Sequence, residues 1–358
     1  MVNDNNRIST TSKLKRIGSL DFLRSYGCLA IILLHVVSAW HDDPANKEAL
    51  FNADPVRISF DGAIVPLLVR MAVPIFFMIS GALFLDPKRN VNIKKHIIKI
   101  LLTLGVFGYG MALIELVVKY RDFNISYLWN SLLNLLQEQS WSHLWYLYAI
   151  IGLYLLTPIL RAWIQNASER EIRDTIIIAV VLLSIIPTIN SVANTSITTF
   201  GITTSSGALL CYLIGFYIFS SREKIRSNKT KVIVAAAMGG VATSIASLLY
   251  FKSSRSMVEP YHIWIVVYSS SLFALMIEER SIEMIGNSKV IQFLSSISLL
   301  VYILHPIFIN ALYKGLHIYP DVLPPIIGEL AFWVAASLFA IVLGWITGRI
   351  PVVKKILQ

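Results

Sequence analysis

The chain has 358 residues, 56% of them apolar and only 15% charged, with a mean hydropathy of +0.66. A soluble domain carries about 25% charge to dress its surface, so a soluble enzyme is excluded and an all-α polytopic membrane protein is the fold class expected. The net charge of +10 then reports topology and not a nucleic-acid partner.

Residues 1–18 read as a polar tail without a secretory signal, 19–350 as the membrane domain and 351–358 as a second short tail. Apolar blocks of roughly 17 to 25 residues match a hydrocarbon core of about 30 Å. They predict ten spans, at 19–40, 65–85, 96–118, 143–163, 174–190, 205–220, 231–250, 260–277, 291–311 and 325–348. The fifth is the weakest, because Pro187 cuts it short. No internal repeat is evident. Assigning loops to alternate sides puts 22 basic residues on the side of the N-terminus and seven on the other, with Arg24 and Arg70 inside spans. The positive-inside rule therefore predicts that both termini are cytoplasmic. Of the outer loops, 41–64 carries Asp42, Asp43, Glu48, Asp54 and Asp61. In 119–142, Leu128, Leu132, Leu135 and Leu136 share one helical face, as in a helix lying on a leaflet or packed in a loop. Two cysteines, Cys28 and Cys211, both lie in apolar blocks, and no metal site is expected.

Charge inside a bilayer is costly, so each intramembrane polar residue is a functional candidate. The first span, LDFLRSYGCLAIILLHVVSAW, places Asp21, Arg24, Cys28, His35 and Ser38 on one stripe. Arg24 and His35 differ by about 20° around the axis and by about 16 Å along it. Arg24 thus lies near the cytoplasmic mouth, where it can pair with Asp21, and His35 lies well toward the far side. The second span, RMAVPIFFMISGALF, opens on Arg70 near the outer boundary, bends at Pro74, and offers Ser80-Gly81 for close helix approach. The fourth, SHLWYLYAIIGLYLLTP, brings Trp145 and Tyr146 to an interface. Glu115 reads as an interfacial residue. In the ninth span His305 precedes Pro306, which frees a backbone carbonyl that the imidazole can bond.

Four stretches in this order, LDFLRSYGCLAIILLHV, RMAVPIFFMISGALFL, SHLWYLYAIIGLYLLTPIL and LLVYILHPIFI, resemble the signature of the acyltransferase-3 family of polytopic membrane acyltransferases. The likeness spans about residues 18 to 348 and is greatest to surface-polysaccharide O-acetyltransferases, such as that acting on enterobacterial common antigen. It implies a bacterial inner-membrane enzyme that moves an acyl group, acetyl above others, from cytoplasmic acyl-CoA to a hydroxyl of a cell-envelope glycan or lipid-linked sugar. No permanently bound cofactor is implied; acetyl-CoA is a substrate. His35 and Arg24 would be catalytic, and Arg24, Lys94, Lys95 and Lys99 would hold the donor phosphates. Asp21, Arg70, Ser80, Trp145, Tyr146 and His305 would support them. Guanidinium suits bidentate phosphate binding, and a neutral imidazole is available as a base at physiological pH. The rival reading is a transporter or flippase of a lipid-linked saccharide.

Overall fold

The structure, a computed structural model, describes residues 16–41, 46, 54–199, 206–252 and 258–357. Most of the expected N-terminal tail, with Asp42, Asp43 and Glu48, lies outside the described residues. Among these residues there are helices and no strand. Among the described residues, eight helices are long and apolar enough to cross a membrane. They are α1 (Gly18–His41), α2 (Pro55–Phe84), α3 (Ile93–Tyr120), α5 (Ser142–Asn166), α6 (Glu169–Ala193), α8 (Lys229–Leu249), α11 (Lys289–Leu316) and α12 (Ile327–Thr347). Two shorter apolar helices, α7 (Gly207–Ser220) and α9 (Ile263–Ile277), take the places of the sixth and eighth predicted spans. At 1.5 Å per residue they reach only about 21 and 22 Å. Both are packed among neighbours, with α7 almost wholly buried, so neither faces lipid along its whole length. Short helices between or after these spans include α4 (Ser126–Leu136), α10 (Arg280–Gly286) and α13 (Pro351–Leu357).

Local chemistry fixes the helix ends. The Asn92 side chain accepts from the Lys95 amide at 2.9 Å, and Ser168 and Glu171 form a reciprocal capping box at the start of α6. The first turn of α1 is capped from α10, where the Glu283 carboxylate accepts from the Gly18 and Ser19 amides at 3.0 and 2.7 Å. Pro187 does not end α6. A π-helical turn over Val181–Ile185 precedes it, and the proline stands in the first turn of the next α-helical stretch, where its missing N–H leaves no gap.

α1 is the central helix and packs on α2, α9, α10, α11 and α12. α2 and α7 cross with their backbones in close contact. A Cβ on Gly81 would overlap the Tyr212 carbonyl, and one on Gly215 would overlap the Met78 backbone. Ser80-Gly81 thus permits the close approach its sequence suggested. α4 both packs and lies exposed: Leu135 is buried against α3, whereas Leu128 and Leu136 are exposed.

α2 begins ten residues earlier than the hydropathy suggests, at Pro55, with Asp54 as its cap. Arg70 therefore sits at a break midway along a 30-residue segment and not at its outer boundary. The 41–64 loop is correspondingly shorter. Its Arg57 and Asp61 are drawn into the bundle, 6% and 2% exposed.

Candidate active site

One cavity of about 1690 Å³ follows α1 for most of its length. Ligand pockets commonly enclose about 300–1,000 Å³, so this one has room for two substrates side by side. It runs from Arg16, Asp21 and Arg24 past His35 to Ser38 and His41. Four members of the predicted stripe line it. Cys28 does not: it is buried, with its thiol 3.5 Å from the Ser298 carbonyl on α11.

The end near the start of α1 is cationic. Arg16, Arg24, Arg89, His96 and Lys99 line it. Asp21 is held there by Arg16 and by the Ser295 hydroxyl, which donates to it at 2.6 Å. Arg24 lies 3.9 Å from Asp21 and donates to Ser295 at 3.5 Å, with a third of its side chain accessible. Lys99 stands close enough to Arg24 and Lys95 to be repelled by both. Among the described residues no carboxylate pairs with Lys99. Lys94 and Lys95 are exposed and outside the lining, one turn nearer the start of α3 than Lys99.

At the middle, three helices each contribute a histidine. His35 on α1 and His305 on α11 lie edge to edge with ring planes 7° apart and centroids 4.9 Å apart, and His35 Nδ1 lies 2.7 Å from His305 Nε2. His143, in the turn that opens α5, meets both edge-on at 6.3 and 5.7 Å between centroids. Its carbonyl accepts from the Tyr302 hydroxyl, and its buried Nε2 has no hydrogen-bond partner among the described residues. Among the described residues, neither these three nor any other group of histidines, cysteines and carboxylates is arranged to hold a metal ion. Arg70 also lines the cavity, close enough to His35 to act on its charge, and donates to the Val258 carbonyl at 3.0 Å. Ser80 reaches toward the Tyr146 and Tyr154 hydroxyls, and Tyr146 is braced on Phe77 at 4.8 Å. Ser80, Trp145 and Tyr146 line the cavity. His305 is buried beside it, and Glu115 is exposed elsewhere.

The other end is acidic and aromatic, with Asp61, Glu138, Glu259, Tyr148 and Tyr261 in its wall. His41 Nε2 lies 2.9 Å from Asp61 Oδ2. Behind them Arg57 pairs with Glu329 of α12 at 2.9 Å, stacks over Trp40 at 5.2 Å, and donates to the Leu323 carbonyl at 2.8 Å.

Sequence reasoning missed His143, the His41–Asp61 pair and the Arg57–Glu329 pair. The signal for His143 was present in SHLWYLY, a stretch whose aromatic residues read first as an interfacial belt. The His41–Asp61 pair lies within the stretch that the hydropathy assigns to one loop, and the Arg57–Glu329 pair joins that loop to a lipid-like span.

A family model described as an acyltransferase domain matches residues 17–349, and with this helical bundle it defines a membrane acyltransferase. The matched stretch takes in every helix from α1 to α12, and the chain belongs to the acyltransferase-3 family. No curated protein and no solved structure gives a match.

Proposed function

We propose that the protein is an acyl-CoA-dependent O-acyltransferase of a bacterial inner membrane. It would take an acyl group, acetyl above others, from cytoplasmic acyl-CoA and place it on a hydroxyl of a cell-envelope glycan or lipid-linked sugar. The observation that carries this reading is the polarity of the large cavity: cations at one end, acids and aromatic rings at the other, and His35 between them.

The donor's phosphates fit the Arg24–Lys99 end, where positive charge exceeds negative and arginine offers a planar fork. From there the pantetheine arm is a thin chain able to follow α1 toward His35, about 16 Å farther along. The opposite end suits a polyhydroxylated acceptor, because carboxylates accept from hydroxyls and aromatic faces stack on sugar C–H surfaces. His35 takes the proton of the acceptor hydroxyl, whose oxygen attacks the thioester carbonyl. The tetrahedral oxyanion collapses, the C–S bond breaks, and the proton ends on the coenzyme A thiol. Tyr146 and Trp145 stand in the wall as donors for that oxyanion. An acyl-histidine relay through His35 uses the same groups in two steps.

Purified protein in lipid nanodiscs, given acetyl-CoA labelled in the acetyl group and membrane glycolipids as acceptor, should produce labelled glycan and free coenzyme A. Movement of the glycolipid across a vesicle membrane without acetylation would replace this reading with a flippase.

A further inference from the structure

We propose that His305 is a positioning residue that holds the proton of His35 on Nδ1 and so keeps His35 Nε2 bare toward the cavity. This rests on the assignment of His35 as the base or nucleophile. It adds the device that sets which nitrogen reacts.

The argument begins with Pro306. Proline has no N–H, so the Tyr302 carbonyl, four residues earlier in α11, receives no helical hydrogen bond. His305 Nδ1 lies 3.3 Å from the Val301 carbonyl, and the freed Tyr302 carbonyl stands near the same imidazole. Carbonyl oxygens only accept, so the nitrogen facing that of Val301 carries the hydrogen. In a neutral imidazole one nitrogen donates and the other accepts, and His305 Nε2 is therefore an acceptor. Its partner at 2.7 Å is His35 Nδ1, which must donate. The hydrogen of His35 is then fixed on Nδ1, and its lone pair stands on Nε2. His305 is fully buried in α11, so no water competes for this bond. Both ring nitrogens of His305 are thereby engaged, which leaves it none for an oxyanion.

A base needs the correct tautomer as much as the correct position. With Nδ1–H held, His35 meets an incoming hydroxyl or thioester with no rotation and no proton rearrangement. Without it, the Nε2–H form places a hydrogen where the lone pair is needed.

Three variants in nanodiscs, assayed with acetyl-CoA and membrane glycolipid, separate positioning from packing. His305→Leu fills similar space but cannot accept from His35. His305→Gln brings an amide oxygen to the place of Nε2. Pro306→Ala gives Tyr302 its donor back and loosens the hold on His305. The Leu variant should turn over about 10²-fold more slowly with the donor KM within about twofold, and Gln should recover to within about tenfold of the native enzyme. Pro306→Ala should fall between. Nitrogen NMR of protein labelled at histidine, with His35→Gln used to assign the resonance, should show a single Nδ1–H form of His35 that becomes a mixture in His305→Leu.

Equal turnover in Leu and native protein, Gln no better than Leu, or an Nε2–H form of native His35 would each overturn the proposal. The spectrum judges the pinned tautomer independently of the reaction. Retained transfer in His35→Ala would remove the base assignment, whatever the spectrum shows.

Discussion

The two ends of the cavity handle charge in opposite ways. At the Arg24 end, cations gather beside one another and are partly open to water. At the His41 end, Arg57 and Glu329 are enclosed and matched, and Asp61 is matched by His41. Uncompensated charge at an accessible surface costs little in stability and remains available to a ligand. Buried charge persists only when paired, because an isolated ion in a low-dielectric interior costs several kcal/mol. One end therefore keeps charge available to a ligand, whereas the Arg57–Glu329 pair behind the other end holds helices together.

The largest effect should come from the point between the two ends. His35→Ala should lower acetyl transfer at least about 10³-fold while calorimetry shows acetyl-CoA bound within a few-fold of native affinity. Loss of donor binding instead would move His35 into the donor site and blur the distinction.

Next comes stability. Arg57→Ala strands Glu329 and should cost about 3–5 kcal/mol, whereas Arg24→Ala should cost less than about 1 kcal/mol. Thermal unfolding in one detergent checks both. Replacing the pair together, Arg57→Met with Glu329→Leu, should recover most of the loss. Equal costs at Arg24 and Arg57 would break the comparison.

Donor affinity should move in the reverse order. Arg24→Lys keeps the charge but loses the fork, and should weaken acetyl-CoA binding about tenfold, with turnover reduced as well. Lys94→Glu with Lys95→Glu, outside the lining, should weaken it a few-fold and mainly at low salt. Affinity indifferent to all three would place the phosphates elsewhere.

The smallest effect concerns Glu283 at the start of α1. Partial burial works against its charge, but the hydrogen bonds from the Ser19 and Gly18 amides and from Asn287 outweigh burial and hold its carboxyl below the usual range. Its contribution is therefore complete above the unfolded-state pKa and disappears as the pH falls through the lower folded value. Glu283→Gln should cost about 1 kcal/mol at neutral pH and nothing below that window. Unfolding midpoints across roughly pH 3 to 7 test this.

Hydropathy made the long spans legible, since lipid demands continuous apolar length. It misplaced the start of α2, where Asp54, Arg57 and Asp61 break the apolar pattern, though proline and an aspartate cap there permit a helix. Periodicity revealed the stripe of α1 because its members share one helix. It was silent on Arg57–Glu329 and on the meeting of His35, His143 and His305, because those contacts join residues far apart in the chain. The Pro306 motif was an intermediate case. Its freed carbonyl and the imidazole beside it were readable locally, but the second histidine on the other side of that imidazole was not.

The pair between α2 and α12 also sets a timetable for biosynthesis. Glu329 follows Arg57 by 272 residues. A ribosome adding about 5–20 residues per second needs roughly 15 to 55 s to supply it. During that interval Arg57 is carried in a nascent bundle without its counter-charge, at an insertion cost on the order of 2.5–3.5 kcal/mol if it sits at mid-membrane. Completion of the last long helix then supplies the counter-charge to a second helix already packed on α1 and α7. A chain stopped before α12 would leave the ribosome with Arg57 lacking its carboxylate partner.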